Sequence, residues 1–320
     1  MLTNIILSLP PIILLGYLAN RFIFRGASCK SKNRLDSKVA IVTGSNCGIG
    51  FETALDLAKR GATVILACRD RKKAEDAVEK IKMEKASAKV YFEELDLSDK
   101  ESIKNFSDRI KNKYKRLDIL INNAGLLSSA YRETKDGFES QFGVMHLGHF
   151  YLTYLLIDLL KSSRQSRIIN VSSNAHRFCS IKWDDIMFKN NYKSFRVYQQ
   201  AKLANILFTL ELKKRYENDG ITAVSLHPGF VKTEINRHFT EKLGLRTVLF
   251  AFFYPFYLLG SMDAKYGAQT TIHCAVADEI IQENGLYYSN CKPAKCSGQA
   301  MDENSSKRLW DLSLKLLKIE

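Results

Sequence analysis

Thr43-Gly44-Ser45-Asn46-Cys47-Gly48-Ile49-Gly50 is the stretch on which the reading of this 320-residue chain turns. A short apolar run, Lys38 to Thr43, precedes it, and Phe51, Ala54, Leu55, Leu57 and Ala58 follow at the spacing of one helix face. Glycines between a strand and a helix let the backbone turn tightly, and they bring amide N–H groups and the helix dipole up to a pyrophosphate. A glycine-rich loop serving only as a turn would not need strand, loop and helix in this order. Gly44, Ser45, Asn46, Gly48, Ile49 and Gly50 are therefore expected at a dinucleotide cofactor.

Beyond the loop, apolar strands alternate with helix-length amphipathic segments, the pattern of βαβ units and a parallel sheet. The expected strands are Lys38 to Thr43, Thr63 to Ala67, Lys89 to Glu94, Leu117 to Ile121, Arg167 to Val171, Thr222 to Leu226 and a short last one near Leu286 to Tyr288. The fold class is thus α/β, a doubly wound parallel sheet of Rossmann type in a single domain over residues 38–320, with ligands at the carboxyl ends of the strands. The second strand ends Leu66-Ala67-Cys68-Arg69. An NAD site normally places an acidic residue there for the adenosine ribose, whereas an arginine accommodates the extra phosphate of NADP, so Arg69 favours NADP(H).

Tyr198-Gln199-Gln200-Ala201-Lys202 puts a tyrosine and a lysine four apart in a run that Leu203, Ile206, Leu207 and Leu210 mark as helical, so both side chains share one face. A free tyrosine, with a pKa near 10, is a poor acid/base at neutral pH, but a nearby ammonium and a nicotinamide cation favour its phenolate. Tyr198 is then expected to exchange a proton with the substrate oxygen. Asn170-Val171-Ser172-Ser173 closes the fifth strand and supplies two serines; Ser172 is read as satisfying turn backbone.

The three-residue gap between Gly44 and Gly48, together with the Tyr198 and Lys202 pair, resembles the short-chain dehydrogenase/reductase superfamily. Ala67-Cys68-Arg69-Asp70, His146-Leu147-Gly148-His149-Phe150, Lys202 to Phe208, Gly267-Ala268-Gln269-Thr270 and Arg308-Leu309-Trp310 make it similar to the microsomal NADP(H)-dependent retinol dehydrogenases. The resemblance runs from about Lys38 to the C-terminus. It implies that Ser173 hydrogen-bonds the substrate oxygen and that Lys202 binds the nicotinamide ribose. It implies that Asp96 and Leu97, with Asn123, Ala124 and Gly125, line the adenine pocket, that Pro228 and Gly229 face the nicotinamide, and that Thr233 bonds its carboxamide. One position departs from the pattern: Met145 stands where the family carries an active-site asparagine. Its main-chain carbonyl is still available, so the expected chemistry survives but slowed. His146 and His149 lack a third metal ligand and are read as packing residues; no metal is expected.

The N-terminus carries no charge between Met1 and Arg21 and is rich in Ile and Leu, roughly a bilayer-spanning length. Basic residues follow it rather than precede it, which argues against a cleaved signal peptide and places the domain in the cytosol. Residues 1–24 are thus expected to anchor the chain in the endoplasmic reticulum membrane, with 25–37 a basic linker; Pro10-Pro11 leaves spanning and monotopic insertion both open. The apolar run Leu249 to Leu259 falls in an expected lid, about 235–262, that touches membrane lipid or packs as a buried helix. The formal charge of +14 is spread without aromatic interleaving, so membrane lipid is favoured over nucleic acid as a partner. Seven cysteines lack paired spacing and read as reduced thiols. The expected activity is interconversion of a lipophilic alcohol with its aldehyde or ketone, retinol and retinal being the type. A catalytically weak NADP(H)-binding membrane sensor or scaffold, and a reductase of steroids or other carbonyls, stay open as alternatives. A homodimer is compatible with the resemblance.

Overall fold

The computed structural model describes residues 26–231 and 262–319. Residues 1–24, Thr233 and nearly all of the expected lid lie outside the described residues. Seven parallel strands, β1 (Val39–Thr43), β2 (Thr63–Cys68), β3 (Lys89–Glu94), β4 (Ile119–Asn122), β5 (Ser166–Val171), β6 (Ile221–His227) and β7 (Tyr287–Ser289), stand in the order β3-β2-β1-β4-β5-β6-β7. A two-residue antiparallel strand, β8 (Lys292–Pro293), borders β7. No apolar run announces β8 in the sequence, whereas each expected strand lies within two residues of its expected bounds.

The central strands are rich in Val, Ile and Leu because both sheet faces are covered, whereas the edge strand β3 carries the charged residues Lys89, Glu93 and Glu94. Ile41, Ile65, Leu120 and Ile168 point into one layer, with α3 (Lys100–Lys113), α4 (His149–Lys161), α5 (Ser194–Tyr216) and α7 (Glu303–Leu317). Ala40, Val42, Val64 and Leu66 point into the other, with α1 (Gly48–Lys59), α2 (Arg71–Glu84) and α6 (Gln269–Val276). The helical stretch Ser140–Lys161, of which α4 is the main part, is long and apolar enough to cross a bilayer, but 78% of its apolar window is buried in the domain. Helix α7 lies over α5, with Trp310 set edge-on to Phe150 at 4.8 Å. Strand order reverses between β1 and β4, the point at which such sheets bind ligands.

The described part of the expected linker is not a solvated tether. Cys29 N–H donates to Gln269 Oε1 at 3.0 Å, Asn33 Nδ2 to the Val276 carbonyl at 2.9 Å, and Arg60 to the carbonyls of Ser31 and Asn33. Leu35 is buried. Residues 26–37 form a strap fastened to α6 and to the end of α1, because their backbone groups find partners a long way off in sequence.

Candidate active site

The glycine loop joins β1 to α1 without a side-chain cap: the N-cap Cys47 makes no such bond, while Asp70 and Asp99 cap α2 and α3. The first-turn N–H groups of α1 are thus left for an anionic ligand. Gly48 has φ +60°, a conformation that disfavours a side chain, and a Cβ on Gly50 would lie 2.6 Å from Asn123 Nδ2. Ser45 turns inward, donating to the Val42 carbonyl at 2.7 Å, and Ile49 and Asn46 are half-buried. These features fit a dinucleotide pyrophosphate.

At the end of β2, Cys68 occupies the place of an acidic residue; it is buried, 3.6 Å from Ser45 Oγ, and burial pushes its thiol up, so it carries no charge. Arg69 follows with its side chain 75% exposed and a guanidinium nitrogen 4.0 Å from Asp96 Oδ2. The other Asp96 oxygen accepts from Ser98 N–H and Oγ. Leu97 is buried, and its carbonyl packs against Gly148.

Thr43, at the end of β1, is a hub that the motif reading missed. Its Oγ1 accepts from Asn123 N–H and Ala124 N–H, both at 2.9 Å, and lies 2.9 Å from His149 Nε2. Two accepted bonds use both lone pairs. The hydroxyl proton therefore serves His149 Nε2, with the Ile121 carbonyl a longer alternative at 3.3 Å. His149 Nδ1 lies 3.0 Å from the Met145 carbonyl, which only accepts, so the ring proton is on Nδ1. Burial lowers this imidazole to about 4 and keeps it neutral. His149 thus does more than pack: through Thr43 it connects the Asn123–Ala124 turn to the π-helix Gly143–Gly148 that carries Met145. His146 donates from Nε2 to Ser313 Oγ, whose own proton serves the Leu309 carbonyl. Gly125 is exposed beyond Ala124.

Tyr198 and Lys202 share one face of α5 at the carboxyl end of β5. Lys202 Nζ is buried, lies 5.7 Å from the Tyr198 ring centre and donates to the Val171 carbonyl at 3.0 Å. Ser172 Oγ donates to the Lys202 carbonyl at 2.6 Å, so it holds helix backbone of α5 rather than the turn backbone expected of it. Ser173 Oγ accepts from Ala175 N–H at 3.2 Å, and its hydroxyl is the group that pulls the Tyr198 phenol down. Burial raises the Tyr198 phenol and only Ser173 pulls it down, because Lys202 points at a carbonyl beneath the ring rather than at the hydroxyl. Lys202 is itself lowered by burial, from 10.5 to about 8.

Pro228 and Gly229 follow β6, half-buried, and a Cβ on Gly229 would run into the Met262 methyl. His227, just before them, is lowered to about 4 by burial, with the cations Arg177 and Lys202 acting in the same direction. Glycine loop, Arg69, Asn123 and Ala124, Ser173, Tyr198, Lys202 and Gly229 all stand at the carboxyl edge of the sheet.

The family described as short chain dehydrogenase matches residues 38–244. Retinol dehydrogenase 12 of Mus musculus is 43% identical over 94% of this chain and 92% of its own length. Retinol dehydrogenase 11 of Mus musculus is 42% identical over 98% and 96%. A solved structure of an uncharacterized protein from Mycobacterium Paratuberculosis, 33% identical, superposes with a TM-score of 0.74 over 92% of this chain and 98% of that one.

Proposed function

We propose, from the premise that this chain belongs to the short chain dehydrogenase family, that it interconverts a lipophilic alcohol and its aldehyde or ketone, of the retinol and retinal type, with NADP(H). The observation that carries this reading is the joining of Ser173, Tyr198 and Lys202 at the end of β5, opposite the uncapped glycine cradle of β1. The retinol dehydrogenases named above support the substrate class. When bound, the nicotinamide supplies or takes the hydride.

Gly44, Ser45, Asn46, Gly48, Ile49 and Gly50 hold the pyrophosphate, and Asp96, Leu97, Asn123, Ala124 and Gly125 line the adenosine side. Arg69 receives the phosphate that distinguishes NADP(H): its exposed guanidinium has only a 4.0 Å contact with Asp96 to give up, and the neutral Cys68 thiol offers no competing charge. Lys202 would hold the nicotinamide ribose, and Gly229 would lie on the nicotinamide side of the cofactor. Ser173, whose oxygen accepts from Ala175 N–H, turns its hydroxyl proton from Tyr198 to the substrate oxygen. Tyr198 gives a proton to the substrate carbonyl in reduction and takes it back from the alcohol in oxidation.

Residues 1–24 anchor the chain in the endoplasmic reticulum with the catalytic domain, 38–320, in the cytosol. The strap of residues 26–37 then holds that domain close to the lipid from which an apolar substrate arrives. The full chain in detergent micelles, followed by NADPH oxidation, tests the function: retinal should be turned over. Turnover of steroid ketones alone would move the substrate class, and tight NADPH binding without turnover of any carbonyl would leave a sensor.

A further inference from the structure

We infer that His176, which lies outside the tyrosine and lysine motif, is a positioning residue for Ser173 and ties the catalytic serine to the C-terminal segment. His176 is fully buried in the single 3-10 turn Asn174–Phe178 that follows β5. Its Nε2 lies 3.2 Å from Ser297 N–H, a group that can only donate, so Nε2 carries a lone pair and the ring proton is on Nδ1. That Nδ1–H points at the Ser173 carbonyl at 2.7 Å. The His176 main-chain N–H reaches the same carbonyl at 3.1 Å, so Ser173 is gripped twice. Burial lowers the imidazole and keeps the single-proton form that both bonds require.

The ring is fixed in turn. Tyr287 of β7 packs edge-on against it at 5.1 Å and donates from its hydroxyl to Asn174 Oδ1 at 3.0 Å. Arg177, the next residue, bonds the Lys295 carbonyl. The turn that orients the Ser173 hydroxyl toward Tyr198 is thus built from residues more than a hundred positions away, and the segment from Tyr287 to Ser297 supports the catalytic serine.

The inference rests on Ser173 acting as proposed above, so the test is a double-mutant cycle on the full chain, with retinal and NADPH as probes. His176→Phe keeps the ring against Tyr287 and removes both side-chain bonds. It should lower kcat about tenfold, the scale of a small misplacement of a catalytic group, with NADPH affinity unchanged. His176→Asn, whose amide can still donate to the Ser173 carbonyl, should recover most of that loss. In a Ser173→Ala background, His176→Phe should cost less than about twofold more, because effects that act through one residue are not additive. The same tenfold loss on both backgrounds, or wild-type turnover in His176→Phe, overturns the inference. Full activity in Ser173→Ala alone instead overturns the role proposed for Ser173. Should His176→Phe fail to fold, Ser297→Pro removes only the donor to Nε2 at a φ of −71° that proline accepts. It should lower kcat about threefold without changing NADPH affinity, and unchanged kcat would equally overturn the inference.

Discussion

Lys202→Met should make the cofactor-free protein more stable while removing its turnover. The lysine is buried with one direct acceptor, the Val171 carbonyl, and burial brings it from 10.5 to about 8. At about 1.36 kcal/mol for each factor of ten in proton affinity, that fall means folding works against the ammonium by about 3 kcal/mol. Because the folded value is the lower one, the penalty is fully present below about pH 8, fades as pH rises from there to 10.5, and is gone above it. Methionine fills the same volume without a charge. The hydrogen bond it gives up is worth about 1 kcal/mol, and the Val171 carbonyl is not orphaned, since Asn205 Nδ2 also donates to it at 3.2 Å. The net expectation is a gain of about 2 kcal/mol at pH 7. Chemical denaturation of both proteins in micelles, repeated across pH 7 to 10.5, reads the difference, which should shrink as pH rises. Saturating NADPH should narrow it too, because ribose hydroxyls give the ammonium partners. A variant less stable than wild type at pH 7, or parallel stability curves across the titration window, would refute the reasoning.

Tyr198→Phe should lower turnover at least about a hundredfold while NADPH affinity stays within about threefold, since the ring still packs and only the proton is lost; near wild-type turnover would remove Tyr198 from the mechanism. Arg69→Ala should weaken NADPH binding about tenfold or more and NADH binding little, read by fluorescence titration, and equal losses would make Arg69 structural. Met145→Asn should cost about 1 to 3 kcal/mol of stability, because it buries an amide among apolar side chains, and should change kcat less than about threefold; a gain of tenfold or more would show that the side chain belongs to the proton relay. Removing residues 1–24 should release the protein from membranes in a carbonate wash, and full retention would place the anchor elsewhere.

Much of the architecture is legible in the chain because strands buried on both faces are made chiefly of Val, Ile, Leu and Ala. Val39 to Thr43 and Thr63 to Cys68 announce themselves, and so does the loop between them, whose glycines answer a local backbone requirement. Tyr198 and Lys202 are equally legible, since a shared helix face needs only a spacing of four. What escapes the sequence is whatever depends on pairs distant along the chain. The strap looks like a polar linker until Asn33 meets Val276, and nothing in the run Ala175-His176-Arg177 points to Ser297, 121 positions on, which His176 meets. The partner of Lys202 escapes for a related reason: i to i+4 spacing places the lysine on the face of Tyr198 but does not say that its ammonium donates to the Val171 carbonyl.

Met145 shows how a departure at a family's catalytic position is accommodated. The side chain is fully buried within the apolar layer that contains Phe142, Leu147 and Phe150, so an asparagine there would have to find an amide partner where methionine needs none. The group a relay can use is the main-chain carbonyl, and the residue that aims it is His149, through Nδ1–H at 3.0 Å. His149 is aimed in turn by Thr43, whose hydroxyl also holds Asn123 and Ala124. The carbonyl and the cofactor loops are therefore set by one chain of hydrogen bonds that is indifferent to the side chain at 145. It follows that His149→Phe, which frees the carbonyl and leaves the Thr43 proton with only the Ile121 carbonyl at 3.3 Å, should lower kcat about tenfold and weaken NADPH binding as well. A loss confined to kcat would mean that Thr43 holds the cofactor loops without help from His149, and unchanged kinetics would mean that the π-helix alone fixes the Met145 carbonyl.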